Sequence, residues 1–433
     1  LEESSLRPLI CPHGHVDAAL LADDTPFDNA TDLLVRPDHY VTRMLVSAGV
    51  DLEHLLTDDP RTVWASVCEH WEWFRATPTR LWWEHQLSEI FGVDPSPTPV
   101  TFDAVGERLA DPEFRPRALY DRFRIEVLAT TDGALDPLDA HARIAADVWP
   151  GRVIPTFRPD DVVDPDRPGW PDAVERLGEI TSSDVTTFGG YLDAIRARRA
   201  DFVAAGATAT DHGHPSAATL DLDRPECERL YQRVLGGDGD ERDREGFRAQ
   251  MLTELAAMSI DDGLVMQLHP GSFRNHHTAT FQRWGRDRGI DIPTPTDYVQ
   301  GLRPLLERFG MDSRLRVILF TLDESAYARE LAPLAGVYPT LMLGPAWWFG
   351  DSPDGMRRFR ELTTDTAGFR NTVGFVDDTR GFTSIPARHD VARRVDAAFL
   401  AHLVVEGRLT RDEASAVAIE LADALPRRAY RLG

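Results

Sequence analysis

No lysine occurs in the 433 residues, so all 47 basic side chains are arginine. That absence removes Schiff-base chemistry on a lysine amine, the phosphate-gripping lysine of a P-loop and a carboxylated lysine bridging two metals. A genome rich in arginine codons is the plainer cause, and the mechanistic exclusion holds either way. Cysteine is scarce as well: Cys11, Cys68 and Cys227 are odd in number and far apart, which argues against a disulfide framework. No apolar stretch approaches the roughly 20 residues that span a bilayer. The opening LEESSLRPLI has neither the basic start nor the apolar segment of a secretory signal. The expectation is a reduced, cytoplasmic protein without membrane contact. Positive charge is in deficit too, and a formal net charge of −24 argues against nucleic acid as a partner. An anionic small molecule stays compatible wherever arginines converge locally.

What is present is alternation. Hydrophobic content of 42% supports a large core. Short β-rich segments that end in polar residues recur at 7–15, 124–132, 152–160, 206–214, 264–271, 316–323, 338–348 and 372–380. Helical stretches such as 171–180, 189–206 and 244–260 lie between them. Strand and helix alternating eight times predict an α/β fold of the (β/α)₈ barrel type, with its active site at the C-terminal ends of the strands. Residues 16–123 are too long for one crossover and hold five of the ten tryptophans: Trp64, Trp71, Trp73, Trp82 and Trp83. Apolar spacing in 63–74 and 81–92 is helical. We read 16–123 as a helical insertion over or beside the barrel mouth, contributing to the active site, with the aromatic stripe as its own core. Residues 1–15 and 124–433 then make the barrel and its closing helices, and 223–245 is a second, polar, partly helical insertion.

Chemistry-bearing side chains cluster at the strand ends. His13 and His15 follow the first strand and Asp378 ends the eighth, its neighbour in a closed barrel. Two imidazoles and a carboxylate suit an open site for Zn²⁺ or a similar divalent ion. A chance pair is the plainer reading of His-Gly-His alone, but Asp378 and His269 on the same face reverse it. Arg158, Arg274 and Arg380 follow the third, fifth and eighth strands and offer bidentate recognition of a carboxylate or phosphate. Any one of them alone would read as a surface ion pair. His39 and Tyr40 in the insertion can polarise a carbonyl or pass a proton. Trp347 and Trp348, close to Asp351, make an aromatic wall suited to a sugar, although tryptophans closing a barrel would look the same.

Taken together, HGH (13–15), PDHYVTRML (37–45), TFRPD (156–160), MQLHPGSFRN (266–275), LGPAWWFGD (343–351) and VDDTRGFTSIPARHDVARR (376–394) resemble uronate isomerases of the amidohydrolase superfamily, in order along almost the whole chain. The resemblance implies a distorted barrel that interconverts a hexuronic acid and its keto isomer, D-glucuronate with D-fructuronate or D-galacturonate with D-tagaturonate. The proton would move from C2 to C1 through a cis-enediolate. One divalent cation, zinc by donor type, would sit on His13, His15 and Asp378, and whether it is essential stays open. Asp378 would carry the proton, with His39, Tyr40 and Arg380 beside the reacting oxygens. Arg158, Arg274, Trp347, Trp348 and His269 would bind substrate. This sequence departs from the family at Gly14 (usually Cys), Thr379 (usually Ser) and Gly350 (usually Asn), which touches substrate preference more than reaction class. The competing reading is a metal-dependent hydrolase or decarboxylase that uses the same site on a carboxylate-bearing small molecule. The oligomeric state, a homo-oligomer included, is left open.

Overall fold

A computed structural model describes residues 1–433. Seven short parallel strands run in chain order around a ring: β1 (Leu9–Cys11), β2 (Ile125–Ala129), β3 (Arg152–Ile154), β4 (Ala209–His212), β5 (Val265–Leu268), β6 (Val317–Leu319) and β7 (Leu341–Leu343). β1, β2 and β3 pair in parallel. β2 and β3 resume after a break as Asp132–Gly133 and Phe157–Arg158, and through Phe157 the pairing passes to β4 and on to β7. Each strand feeds a helix that returns on the outside, as in a parallel barrel.

The expected eighth strand, 372–380, forms only in part. Thr372 bridges Leu343, and the Val373 N–H donates to the Leu343 carbonyl at 3.1 Å. Gly374 then takes φ +84°, and a Cβ there would run into the Leu421 carbonyl, so the segment bends against the closing helices instead of extending the ladder. The ring is joined to β1 by one backbone hydrogen bond, His15 N–H to Thr379 O at 2.9 Å. The barrel is distorted at this seam.

Strand pleating sorts the side chains by period two. Ile10, Val127, Ala129, Ile154, Ala209, Val265, Ile318 and Met342 point inward and pack with Phe320. Met266, Leu268, Val317, Leu319, Leu341 and Leu343 point outward to the helices. The interior is sealed below by the helix Leu425–Tyr430: Tyr430 and Leu432 join the inner cluster, and the buried Tyr430 hydroxyl bonds Gln267 Oε1 at 2.8 Å. The segment 223–245 is part of a two-helix crossover from β4 to β5, Arg224–Leu235 and Glu241–Asp262, rather than an insertion outside the barrel plan.

Eight α-helices occupy residues 18–122. Aspartates cap four of them: Asp17, Asp38, Asp51 and Asp59 each accept a backbone N–H of the helix that follows. These helices share a core with the outer faces of β1, β2 and β3 through Leu9, Cys11, Ile125, Leu128 and Val153. Trp64, Trp71, Trp82 and Trp83 are buried as expected, whereas Trp73 is exposed, because its turn is a 3₁₀ helix (Trp71–Phe74) that breaks the helical stripe.

Candidate active site

A cleft of about 680 Å³ opens at the C-terminal ends of the strands. Every side chain singled out above lines it: His13, His15, His39, Tyr40, Arg158, His269, Arg274, Trp347, Trp348, Asp378 and Arg380. The helix His39–Ser47 delivers His39 and Tyr40 from the side, and its N-cap explains the Asp-His-Tyr run. Asp38 accepts the Tyr40 N–H at 2.8 Å, which fixes the start of the helix so that its first two residues face the barrel. The His39 and Tyr40 rings stack at 4.7 Å, and His39 meets Trp348 edge-on at 5.6 Å.

The two histidines after β1 do not converge as alternating strand residues would. The strand stops at Cys11, because Pro12 has no N–H to continue the ladder, and both imidazoles stand on irregular backbone. Their rings lie edge to face at 5.3 Å, and both reach one oxygen of Asp378: His13 Nε2 at 3.4 Å and His15 Nε2 at 3.1 Å from Oδ1. Asp378 itself has φ +39°, and Trp348 across the cleft has φ +48°. Left-handed backbone at two non-glycine residues stores strain at this site.

The closest three-donor set at the floor is His13, His269 and Asp378, whose ligand atoms all lie within 4.8 Å of one another. His269, expected as a substrate contact, thus joins the cluster expected to include His15. The physical reason is parity: Val265, Gln267 and His269 point inward on β5 and its extension, carrying His269 beneath His13, where the rings stack at 4.8 Å. Asp211, inward on β4, accepts the His269 Nδ1–H at 2.6 Å and leaves Nε2 free. His269 Nε2 and Asp378 Oδ1 are buried without a partner in hydrogen-bond geometry, and His13 Nε2 lies 3.4 Å from that oxygen. Orphaned nitrogen and carboxylate donors turned into one small volume fit a divalent cation.

Arg158 is held by Asp160 at 2.8 Å and Asp211 at 3.1 Å, and Arg380 by Asp287 at 3.0 Å. Arg274 pairs with Asp291 at 2.9 Å and lies over the Trp348 ring at 5.1 Å. Trp347 packs on His269 and donates its Nε1–H to the Thr321 carbonyl.

The sequence profile of the glucuronate isomerase family matches residues 2–422. The chain belongs to the glucuronate isomerase family. A uronate isomerase from Rhizorhabdus wittichii is 61% identical over 432 residues, 98% of this chain and 93% of that relative. The crystal structure of glucuronate isomerase from Caulobacter crescentus superposes with a TM-score of 0.97 at 52% identity, covering 99% of this chain and 92% of that one. A uronate isomerase structure from Thermotoga maritima gives 0.95 at 25% identity, covering 99% and 96%.

Three site residues of this glucuronate isomerase family member escape sequence reasoning: Asp211, Asp287 and Arg388. Arg388 is buried, pairs with Asp351 and lies 3.6 Å over the Trp82 ring, so it ties the insertion to the closing helix beside Tyr40. The sequence does carry one faint signal, since DHGH (211–214) echoes the PHGH at 12–15.

Electrostatics sort the family site into fixed charges. Burial alone would protonate Asp378, but His13 and His15 outweigh it and hold the carboxyl well below the usual range. Burial drives His15 down to about 4, whereas the Asp378 carboxylate overcomes burial at His13 and raises it. Burial, reinforced by the Arg380 charge, lowers His39 to about 3. Burial raises the Tyr40 phenol well above its ordinary value. At neutral pH the site therefore presents an ionised Asp378, a neutral His39 and a protonated Tyr40.

Proposed function

We infer that this chain interconverts the aldose and ketose forms of a hexuronic acid, glucuronate with fructuronate or galacturonate with tagaturonate. The observation that carries the reading is the buried Asp378 carboxylate, set against His13 and His15 in a cleft that Tyr40, Arg158 and Arg380 also line. An open-chain 2-hydroxy aldehyde needs a base at C2, a proton donor at O1 and a grip on the distant carboxylate, and the cleft supports each. Asp378 takes the C2 proton. Negative charge moves to O1, where Tyr40 donates its proton and the Arg380 guanidinium stabilises the oxyanion. The cis-enediol then regains at C1 the proton carried by Asp378, and its O2 proton returns to the Tyr40 phenolate as the C2 carbonyl forms. Arg158 and Arg274 clamp the carboxylate end, and Trp347 and Trp348 wall the carbon chain from water. His39, neutral, stacks on the Tyr40 ring and holds it in place.

His13, Asp378 and His269, with His15 alongside, would hold a divalent cation, zinc being the ion these donors fit best. When bound it supplies positive charge near the sugar oxygens at the floor of the cleft. Relatives at 55–61% identity over nearly the whole chain are uronate isomerases, which leaves the hydrolase or decarboxylase alternative unfavoured.

Glucuronate and galacturonate incubated separately with the protein in D₂O test the reading by proton NMR. Ketose formation, with the C2 proton either transferred to C1 or exchanged for deuterium, is the expected result. No conversion of either uronate by the metal-supplemented protein overturns it.

A further inference from the structure

Behind the active site, on the outer side of β1, a second cluster remains unused by this chemistry. Cys11, Asp377 and His389 are all buried, and their donor atoms lie within 4.8 Å of one another. They come from three separate pieces of chain: β1, the turn before Asp378 and the helix Ile385–Val405. Cys11 Sγ is 3.6 Å from His389 Nε2, and the same nitrogen is 3.3 Å from Asp377 Oδ1.

Those separations are the informative part. A strong imidazole–carboxylate hydrogen bond closes to about 2.7–2.9 Å. A tetrahedral ion with Zn–S of about 2.3 Å and Zn–N and Zn–O of about 2.05 Å holds sulfur and nitrogen about 3.6 Å apart, and nitrogen and oxygen about 3.3 Å apart. Both separations through His389 therefore match edges of a coordination tetrahedron, in a buried place where the same contacts serve as long hydrogen bonds while no ion is bound. Asp377 Oδ2 has no partner. The nearby Arg393 spends its Nη donors on the carbonyls of Ser5, Arg7 and Pro8, so it does not bond the carboxylate. His389 also borders a cavity of about 10 Å³, close to the size that holds one water.

We propose that Cys11, Asp377 and His389 bind a second divalent cation of the zinc class in a closed, structural site. Binding ionises the Cys11 thiol and releases its proton to solvent, so thiolate and carboxylate together balance the charge of the ion. One water completes the tetrahedron. The ion ties β1 to the long closing helix and anchors the residue next to Asp378, where the backbone turns left-handed.

The full chain, stripped with chelator and reloaded with Co²⁺ alone, reads the site directly. A Cys68→Ser, Cys227→Ser variant leaves Cys11 as the one thiol. It should show the intense near-ultraviolet thiolate-to-cobalt band and tetrahedral visible bands. Adding Cys11→Ser should abolish the thiolate band and lower the bound cobalt by one equivalent per chain. Absence of the band at saturating cobalt, or its survival after Cys11→Ser, overturns the proposal. Zinc-edge X-ray absorption on the unmutated chain gives the same answer without any variant: sulfur in the first shell is expected, and a shell of nitrogen and oxygen alone overturns it. Neither readout depends on turnover, so both stand apart from the isomerase reading.

Discussion

Asp378 meets two requirements at once, an ionised charge and a fixed direction. Its left-handed backbone aims the carboxylate at His13 and His15, and those imidazoles keep it charged. Asp378→Asn preserves shape and tolerates the same backbone, so circular dichroism should be unchanged while kcat on the preferred uronate falls by about 10² to 10⁴. Near-normal turnover would remove Asp378 from the reaction. Arg388 is the opposite kind of residue, buried at 1% exposure against Asp351. Burial already raises the Asp351 carboxyl to about 7, so in Arg388→Met it takes up a proton, and the lost pairing should cost about 1–3 kcal/mol in urea unfolding.

Buried histidines outside the cleft set the response to acid. Burial depresses His212 to about 3 and His141 to about 4, while in the unfolded chain each titrates near 6.5. Between about pH 4 and 6.5 the unfolded chain binds more protons, so stability contributed by these groups is complete above pH 6.5 and is lost as pH falls through that window. Denaturation midpoints measured from pH 7.5 to 4.5 should decline, and less steeply in His141→Gln; an unchanged slope in that variant would dismiss His141 as a contributor.

At the scale of elements, the excursion from Gly271 to Asp297 bridges barrel and helices over the cleft. Arg283 reaches Glu53, Asp287 reaches Arg380, and Gly289 packs against the helix that carries His39. A Cβ at Gly289 would come within 2.9 Å of Arg43 Cβ and 3.2 Å of the His39 carbonyl, at a φ of +73°. Gly289→Ala should therefore push the excursion off the cleft, raising KM several-fold, with the far-ultraviolet spectrum unaltered. This element also marks the limit of what could be read from sequence. His13, Arg158, His269 and Asp378 were legible because each lies at or just past the end of a β-rich segment, and such ends in a barrel share one face. Asp287 was not, because nothing local dictates where an irregular stretch of that length folds back. Asp211 lies inside a strand where only parity reveals its direction, and Arg388 sits on a helix whose facing partner, Trp82, is 306 positions away in the chain. The seven strands and the helices near 171–180, 189–206 and 244–260 were readable from alternation, whereas the ruined eighth strand depends on the close approach of Gly374 to a distant helix.

For the molecule as a whole, the barrel interior is completed by the helix Leu425–Tyr430. Tyr430→Phe leaves the Gln267 side chain inside the barrel without its one partner and should lower stability by about 1–3 kcal/mol, measurable by urea titration with the m-value retained. An unaltered midpoint would mean that the hydroxyl contributes nothing to the plug.

The same helix has a consequence for synthesis. A nascent chain emerges from the ribosome N-terminus first, so all seven strands leave the exit tunnel before their plug has been made. Until residue 430 is outside, the ring carries an open apolar throat lined by Ile10, Val127, Ala209, Val265 and Ile318. Translational pausing late in the message would prolong that exposure, and a chaperone that shields such surfaces would have its task in the last seconds of translation rather than the first.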